Sequence, residues 1–372
     1  MTLDTPVLAA LRAREDDIRR ISDFLLAHPE LSHEETETSR FLVGVLEDAG
    51  FRVDTGVAGL STAFRAELAT GRPGGTVGFA AVYDAAPAHR TDDGSTVATH
   101  SCGHSAQAAG VVGAALALAD VREQLTGTVV VVGCPADEIH APRTQLLGSG
   151  KALTAAGGVW TGVDAALYAH PEFLDAVWTR TLWMRRETAI VEGTRTLLDD
   201  ADCAPLSAAR RLLQALDALP RANVMLETLV IDGDVEEGSG LSLRAQVLLF
   251  SSTRDGLDDL HSPLRAALPE ARWERGNEID AIVPDPHVSD VVRDAFAAAG
   301  RPILDDTPPL PFATDFGAVT RVVPAALVGV GRPEGWAFHR EGGQEQFAGP
   351  EGVQIARDIA RVLALAGARL TA

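Results

Sequence analysis

Four strand-like apolar runs in this chain each lead into residues that can bind a metal ion or move a proton. Residues 76–83 run into Asp84, residues 128–134 into Asp137 and Glu138, and residues 163–169 into His170. The fourth run, 323–330, is followed downstream by His339. Between the first two lies Cys102-Gly103-His104, which opens a long Ala-rich helical stretch. In open α/β sheets the ligand site forms beyond the carboxyl ends of parallel strands. Apolar runs that end in Cys, His, Glu and His therefore point to a metal site, and the metal site to an enzyme.

At 372 residues the chain is longer than one hydrophobic core usually grows, so two domains are expected. A hydrophobic content of 46% with 23% charged residues is that of a globular protein, not a disordered or fibrous one. The net charge of −20 argues against a nucleic-acid partner and against an anionic membrane surface, both of which need clustered Lys and Arg. The first residues lack the apolar centre of a signal peptide, and no apolar run approaches the ~18 residues of a membrane span. Cys102, Cys134 and Cys203 make no disulfide framework in a chain this long, so a cytoplasmic location is expected. Lys151 stands alone among the arginines, which reads as compositional bias rather than function.

Apolar positions at helical spacing (Leu8, Leu11, Ile18, Ile21, Leu25) predict one amphipathic helix over 6–27. It stops at His28-Pro29, because proline disfavours helix in the residue before it. A second helix is expected over 35–49, closed by Gly50, followed by strands near 52–57 and 62–68. The runs 76–83 and 128–134 are apolar enough for buried strands, the second rich in β-branched valine. Helices over 105–125 and 143–156 and a strand over 163–168 complete an alternating β/α pattern, the mark of a mostly parallel sheet.

From about residue 184 the order becomes strand, helix, strand, strand, helix, strand (185–192, 206–218, 223–232, 242–251, 254–268, 271–274). That is the arrangement of a ferredoxin-like unit. After Pro284-Asp285-Pro286 the α/β pattern resumes, with a helix over 287–299, the strand 323–330 and a last helix over 350–368. The fold class is thus α/β. A mostly parallel-sheet catalytic domain, 1–183 and 285–372, is interrupted by a ferredoxin-like (β-α-β-β-α-β) domain over 184–284.

Cys102 and His104, two apart with glycine between, can present thiolate and imidazole to a metal where a loop meets a helix. A buried cysteine beside a helix-capping histidine is the plainer alternative. A Cys–His nucleophilic pair is disfavoured, because neighbours in one short turn are poorly placed to hydrogen-bond as nucleophile and base. Asp137 and Glu138, leaving a central strand together, suit a division of labour in which one binds metal and the other takes a proton from water. His170-Pro171 and Trp336-Ala337-Phe338-His339 are weak signals separately. Together, one Cys, three His and one Glu form a mixed donor set suited to zinc or a similar borderline metal, and numerous enough for two ions.

With these residues in view, the chain resembles the dinuclear-metal aminoacylase/carboxypeptidase family of metallopeptidases, in its amidohydrolase branch. That branch includes auxin-conjugate, aminobenzoyl-glutamate and β-alanyl-dipeptide hydrolases. The matching stretches are His28-Pro29-Glu30-Leu31-Ser32 with Glu34-Glu35, Tyr83-Asp84-Ala85-Ala86-Pro87, and His100-Ser101-Cys102-Gly103-His104. Pro135-Ala136-Asp137-Glu138, His170-Pro171 and Ala313-Thr314-Asp315-Phe316-Gly317 follow in the family's order. The resemblance implies that Cys102, His104, Glu138, His170 and His339 bind two divalent metal ions (Zn, Mn, Co or Ni). Asp137 then takes the general-base position. The implied activity is hydrolysis of a small amide, an N-acyl amino acid, dipeptide or specialised metabolite. A homodimer through the inserted lid/dimerisation domain is implied as well.

Two departures stand out. The family has glutamate where this chain has Asp137, one methylene shorter, which sets the carboxylate about 1–1.5 Å further back. The family's second domain usually offers a histidine after a glycine in its first strand, and Glu192-Gly193-Thr194-Arg195-Thr196-Leu197 has none. Arg254 is the candidate there for holding a substrate carboxylate, against the plainer reading of a surface arginine. These departures keep two other readings open: a homologue that binds metal or ligand without hydrolysis, and one that runs a non-hydrolytic biosynthetic step.

Overall fold

The computed structural model of the protein describes residues 3–89, 95–194, 204–233, 238–301, 303, 307–340 and 342–372. They form two compact units: Met1–Arg180 with Ile282–Pro309 and Asp315–Ala372, and Thr181–Ala281 with Leu310–Thr314. The strip Leu310–Thr314 belongs to the second unit, although its place in the sequence groups it with the first.

In the first unit, helices α1 (Asp4–Ala13), α2 (Glu15–Ala27) and α3 (Thr36–Asp48) lead into β1 (Arg52–Thr55), β2 (Phe64–Ala69) and β3 (Thr76–Ala81). A ribbon of β4 (Ala86–His89) and β5 (Thr96–Thr99) precedes α4 (His104–Asp120) and β6 (Thr128–Gly133). Then come α5 (Pro142–Leu147), α6 (Gly150–Ala156), β7 (Ala165–Glu172) and β8 (Ala176–Trp178). The second unit contains β9 (Trp183–Thr194), α7 (Ala204–Asp217), β10 (Val224–Gly233), β11 (Gly240–Ser251), α8 (Asp255–Ala267) and β12 (Arg272–Ile279). The chain returns through α9 (Pro286–Ala298), α10 (Phe316–Val319), β13 (Ala325–Gly331), α11 (Gly343–Ala348) and α12 (Pro350–Leu370).

The first unit's sheet runs β1-β2-β6-β3-β7-β13-β8. Its four central strands, β6, β3, β7 and β13, are mutually parallel, with antiparallel strands at both margins. Val129–Val132 are buried side by side, as a strand covered on both faces requires. Because the four strands are parallel, the residues that follow them gather along one edge of the sheet.

Helix α4 is buried around almost its whole circumference. Small residues make that possible. A Cβ on Gly110 would lie 2.6 Å from Ile359 of α12, and one on Gly113 would lie 2.4 Å from Ile18 of α2. The Ala-rich composition of α4 therefore follows from its place between two helices and the sheet.

Two helices expected as single pieces are broken. The predicted helix over 6–27 bends at Arg14, which leaves helical geometry (φ −99°, ψ 6°). Its guanidinium is drawn to Asp120 at the end of α4 (2.7 Å) and to Asp17 (2.9 Å), which pins the bend. The helix expected over 143–156 divides at Gly148, which takes a positive φ of 99°. Gly150 then begins α6 pressed against the Pro135 carbonyl, where any Cβ would collide at 1.8 Å. This break places Lys151 in the first turn of α6.

The second unit is a four-stranded antiparallel sheet in the order β10-β11-β9-β12, with the β-α-β-β-α-β succession expected of it. Its core is formed by Ala189, Val191, Leu243, Ala245, Val247 and Leu249 from the sheet, with Ala208, Leu212, Leu257 and Leu264 from α7 and α8. Among the described residues no helix is long and apolar enough to cross a membrane.

Candidate metal centre

The residues singled out at the strand ends meet. Ligand atoms of Cys102, His104 and His170 lie within 4.8 Å of one another, as do those of Cys102, Glu138 and His339. Cys102 is common to both groups, so the five side chains form two overlapping clusters.

Each is carried there by a distinct local device. Gly103 takes a positive φ of 91° and leaves no room for a side chain, since a Cβ would lie 2.7 Å from the Phe347 ring. Cys102 and His104 thereby flank the entry to α4, with His104 as its first residue. His104 Nδ1 is 2.8 Å from the Asp84 carbonyl oxygen and 3.0 Å from the Asp84 carboxylate. That leaves Nε2 as the ring's free ligand atom. The Asp84 carboxylate also accepts from the Ser32 hydroxyl (2.8 Å) and the Glu138 amide (2.9 Å), so it ties the ends of two strands together.

The loop after β6 is shaped by Ala136, a non-glycine residue at φ +56°. Its amide donates to the buried Glu35 carboxylate at 2.8 Å, and Glu35 also accepts from the His33 amide (2.8 Å) and the Thr62 hydroxyl (3.0 Å). Glu35 thus holds the turn that aims Asp137 and Glu138. His170 lies near the end of β7, its Nε2 3.7 Å from Cys102 Sγ. His339 is half exposed at φ +54°, its amide bonded to the Ser101 carbonyl at 3.2 Å, with Nδ1 3.9 Å from Glu138.

Burial drives most of these groups to their neutral forms. It pushes the Cys102 thiol up to about 11 and the Glu138 carboxyl up to about 7. Burial also brings His170 down to about 3 and His339 down to about 4. For His104 burial acts the same way, but Cys102 and Asp84 outweigh it and raise the ring well above its ordinary value. The neutral imidazoles of His170 and His339 have free lone pairs that suit metal ligation, and a cation would favour thiolate, carboxylate and a deprotonated His104 in the same place.

The residues fit a metal on a second ground. His104 Nε2 and Glu138 Oε1 are buried without a hydrogen bond. Buried polar atoms of native proteins nearly always have a partner, and a cation between these atoms supplies one.

Asp137 sits beside the clusters. Its Oδ2 accepts from the Tyr168 hydroxyl at 3.0 Å and lies 3.2 Å from His104 Nε2, while Oδ1 pairs with Lys151. Lys151 is wholly buried and also meets Asp315 at 2.8 Å. Beside its compositional reading, this lysine has a definite place: the chain's one lysine lies against the carboxylate expected to act as base. Its signal in the sequence was its uniqueness, together with a place in the helix that follows Glu138.

Arg254 belongs to the second unit, at the start of α8, and is exposed and bonded to Glu278 at 2.6 Å. Of the stretch noted for its missing histidine, Glu192-Gly193-Thr194 ends β9, and Arg195-Thr196-Leu197 lies outside the described residues, as does Cys203.

Comparison with known proteins shows the family and the fold. The model of peptidase family M20/M25/M40 matches residues 55–360. A p-aminobenzoyl-glutamate hydrolase polypeptide of Escherichia coli (strain K12) is 33% identical over 184 residues, 46% of this chain and 36% of the relative. This match and the two carboxypeptidase matches from Saccharolobus solfataricus each cover well under half of the relative's length. An N-acetyl-L-cysteine deacetylase of Bacillus subtilis (strain 168) is 24% identical over 330 residues, 80% of this chain and 76% of the relative. Among solved structures, a dinuclear metal binding peptidase of the M20 family from Bacillus subtilis superposes with a TM-score of 0.72 at 19% identity, covering 97% of this chain and 99% of its own. An aminobenzoyl-glutamate utilization protein from Klebsiella pneumoniae gives 0.69 at 16% identity, covering 97% of this chain and 98% of its own. With the family model spanning most of its length, the chain belongs to peptidase family M20/M25/M40.

Proposed function

We propose that the protein hydrolyses a small amide bond, using Cys102, His104, Glu138, His170 and His339 to hold two divalent metal ions and Asp137 as general base. The carrying observation is that Asp137 Oδ2 lies 3.2 Å from His104 Nε2, at the margin of the cluster formed by Cys102, His104 and His170. When bound, such ions supply Lewis acidity that eases deprotonation of water and stabilises a tetrahedral oxyanion. The protein's own residues do the rest. Asp137 accepts the proton of the attacking water and returns it to the leaving amine. Tyr168 holds the same carboxylate in place through its hydroxyl.

N-acetyl-cysteine, p-aminobenzoyl-glutamate and the peptides of a carboxypeptidase are the substrates to which the relatives' names point, and dipeptides join them through the family resemblance. Phe173 and Phe338 meet edge to face at 5.6 Å, with Phe338 5.9 Å from His170, and offer an apolar wall for an acyl or aromatic substituent. We assign the first unit, expected over 1–183 and 285–372, as catalytic, and the inserted unit, expected over 184–284, as the lid/dimerisation domain. A homodimer through that unit is supported by β10, an edge strand that exposes Met225, Leu229, Val230 and Ile231. Arg254, exposed and with its Nε bonded to Glu278, is the residue of the inserted unit assigned to a substrate carboxylate. The strong negative charge and the composition favour a cytoplasmic location with neither nucleic-acid nor membrane partners.

The test is metal-free protein reconstituted with Zn, Mn, Co or Ni and offered N-acetyl-cysteine, p-aminobenzoyl-glutamate and a dipeptide panel. Metal-dependent turnover is expected. Two bound ions with no turnover of any amide would favour the second reading, a homologue that binds or transforms its ligand without hydrolysis. That reading is motivated by Asp137 itself, shorter than glutamate and already paired with Lys151.

A further inference from the structure

Lys151 is the one lysine of the chain, and its side chain is 0% exposed. Burying an ammonium is costly unless it is paired, and this one meets two carboxylates, Asp137 and Asp315. Asp315 grips it twice, accepting from the Lys151 backbone amide at 3.0 Å and pairing with Nζ at 2.8 Å. The ammonium also stands 4.2 Å from the centre of the Tyr168 ring, whose hydroxyl donates to Asp137. Asp137 is therefore clamped at both oxygens, Oδ1 by Lys151 and Oδ2 by Tyr168, with Oδ2 turned toward the ligand cluster.

A purely structural tie between α6 and α10 would need only Asp315. The contact to Asp137 is additional, and it falls on a carboxylate that faces His104 Nε2 and is not itself a ligand candidate.

We propose that Lys151 is a positioning residue for Asp137: anchored by Asp315, its ammonium fixes Oδ1 so that Oδ2 faces the ligand cluster. This is how a side chain one methylene short is kept in working geometry. Displacement of a reacting group by about 1 Å can cost on the order of 100-fold in rate, so a fixed carboxylate matters more than a long one. The inference rests on the reading of Asp137 as base, but the contact itself can be tested without turnover.

The uniqueness of Lys151 makes that test direct. Protein labelled with 15N at the lysine side chain carries a single ζ-nitrogen signal. In metal-free protein the signal should move in Asp137→Asn and in Asp315→Asn, and stay in place in the remote control Asp290→Asn. An unmoved signal in Asp137→Asn would overturn the proposal even if no substrate is ever found. With an amide that the wild type turns over, Lys151→Met should lower kcat by about 10–100-fold with KM and metal content little changed. In an Asp137→Ala background the same substitution should cost nothing more. An equal loss in both backgrounds would show that Lys151 acts independently of Asp137 and would also overturn the proposal. Should Lys151→Met fail to fold, Asp315→Asn, which frees the ammonium from its anchor, should show the same kcat-only loss in smaller measure. Failure of the wild type to hydrolyse any amide would sink the functional reading and leave the nuclear resonance result to decide the pair.

Discussion

His104 and Asp84 are joined twice: the ring's Nδ1 faces both the carbonyl oxygen of Asp84 at 2.8 Å and its carboxylate at 3.0 Å. Such an arrangement fixes the tautomer and orientation of a ligating histidine, and losing it typically weakens metal binding 10–100-fold. Asp84→Asn is expected to do so here while the protein stays folded. Competition against a chromophoric chelator measures the affinity, and an unchanged value would refute the orienting role.

Asp137 should govern turnover and not metal content. Asp137→Asn is expected to lower kcat by roughly 100-fold or more, within the range general bases contribute, with both ions retained. Asp137→Glu separates the two functional readings. A gain in hydrolysis would show that only the reach of the base was limiting. A loss is expected if the clamp of Lys151 and Tyr168 is built for the shorter side chain. Steady-state kinetics beside elemental analysis read both outcomes.

Much of this was legible in the chain. Continuous apolar runs such as 128–134 announce a buried parallel sheet because a strand covered on both faces tolerates little else. Glu138 and His170 follow from where those runs end, Cys102 and His104 from their spacing around Gly103, and His339 from its place downstream of the last run. What escaped depends on contacts distant in sequence. The break between α5 and α6 is set by Gly150 lying against the Pro135 carbonyl, and the bend at Arg14 by Asp120, more than a hundred residues away. Lys151 looked like composition because its two carboxylate partners come from separate loops, at 137 and 315.

Glu35 predicts a pH dependence. Burial, with the nearby Asp84 charge, raises its carboxyl from 4.5 to about 8. An acid that binds its proton more tightly when folded contributes stability that is fully present below its unfolded value and lost as pH rises. The Tm advantage of metal-free wild type over Glu35→Gln, a neutral isostere, should therefore shrink between pH 4.5 and about 8 and then level off. A difference that is flat or grows over that window would contradict the assignment.

Gly110→Ala tests the packing that delivers His104. The added methyl would lie 2.6 Å from Ile359, so α4 and α12 must separate. Overpacking of this kind costs about 1–3 kcal/mol, seen as a lower denaturation midpoint. Because His104 starts that helix, metal affinity should fall with it. A stabilised variant would show that the two helices have room to spare.

The most direct measurement is metal stoichiometry after equilibrium dialysis of metal-free protein against Zn or Mn, read by elemental analysis. Wild type should hold two ions per chain. His339→Ala, which touches only one cluster, should hold one, and Cys102→Ala, common to both, should bind each ion far more weakly. Wild type that retains no ion, or a Cys102→Ala variant that retains both as tightly as wild type, would contradict the account.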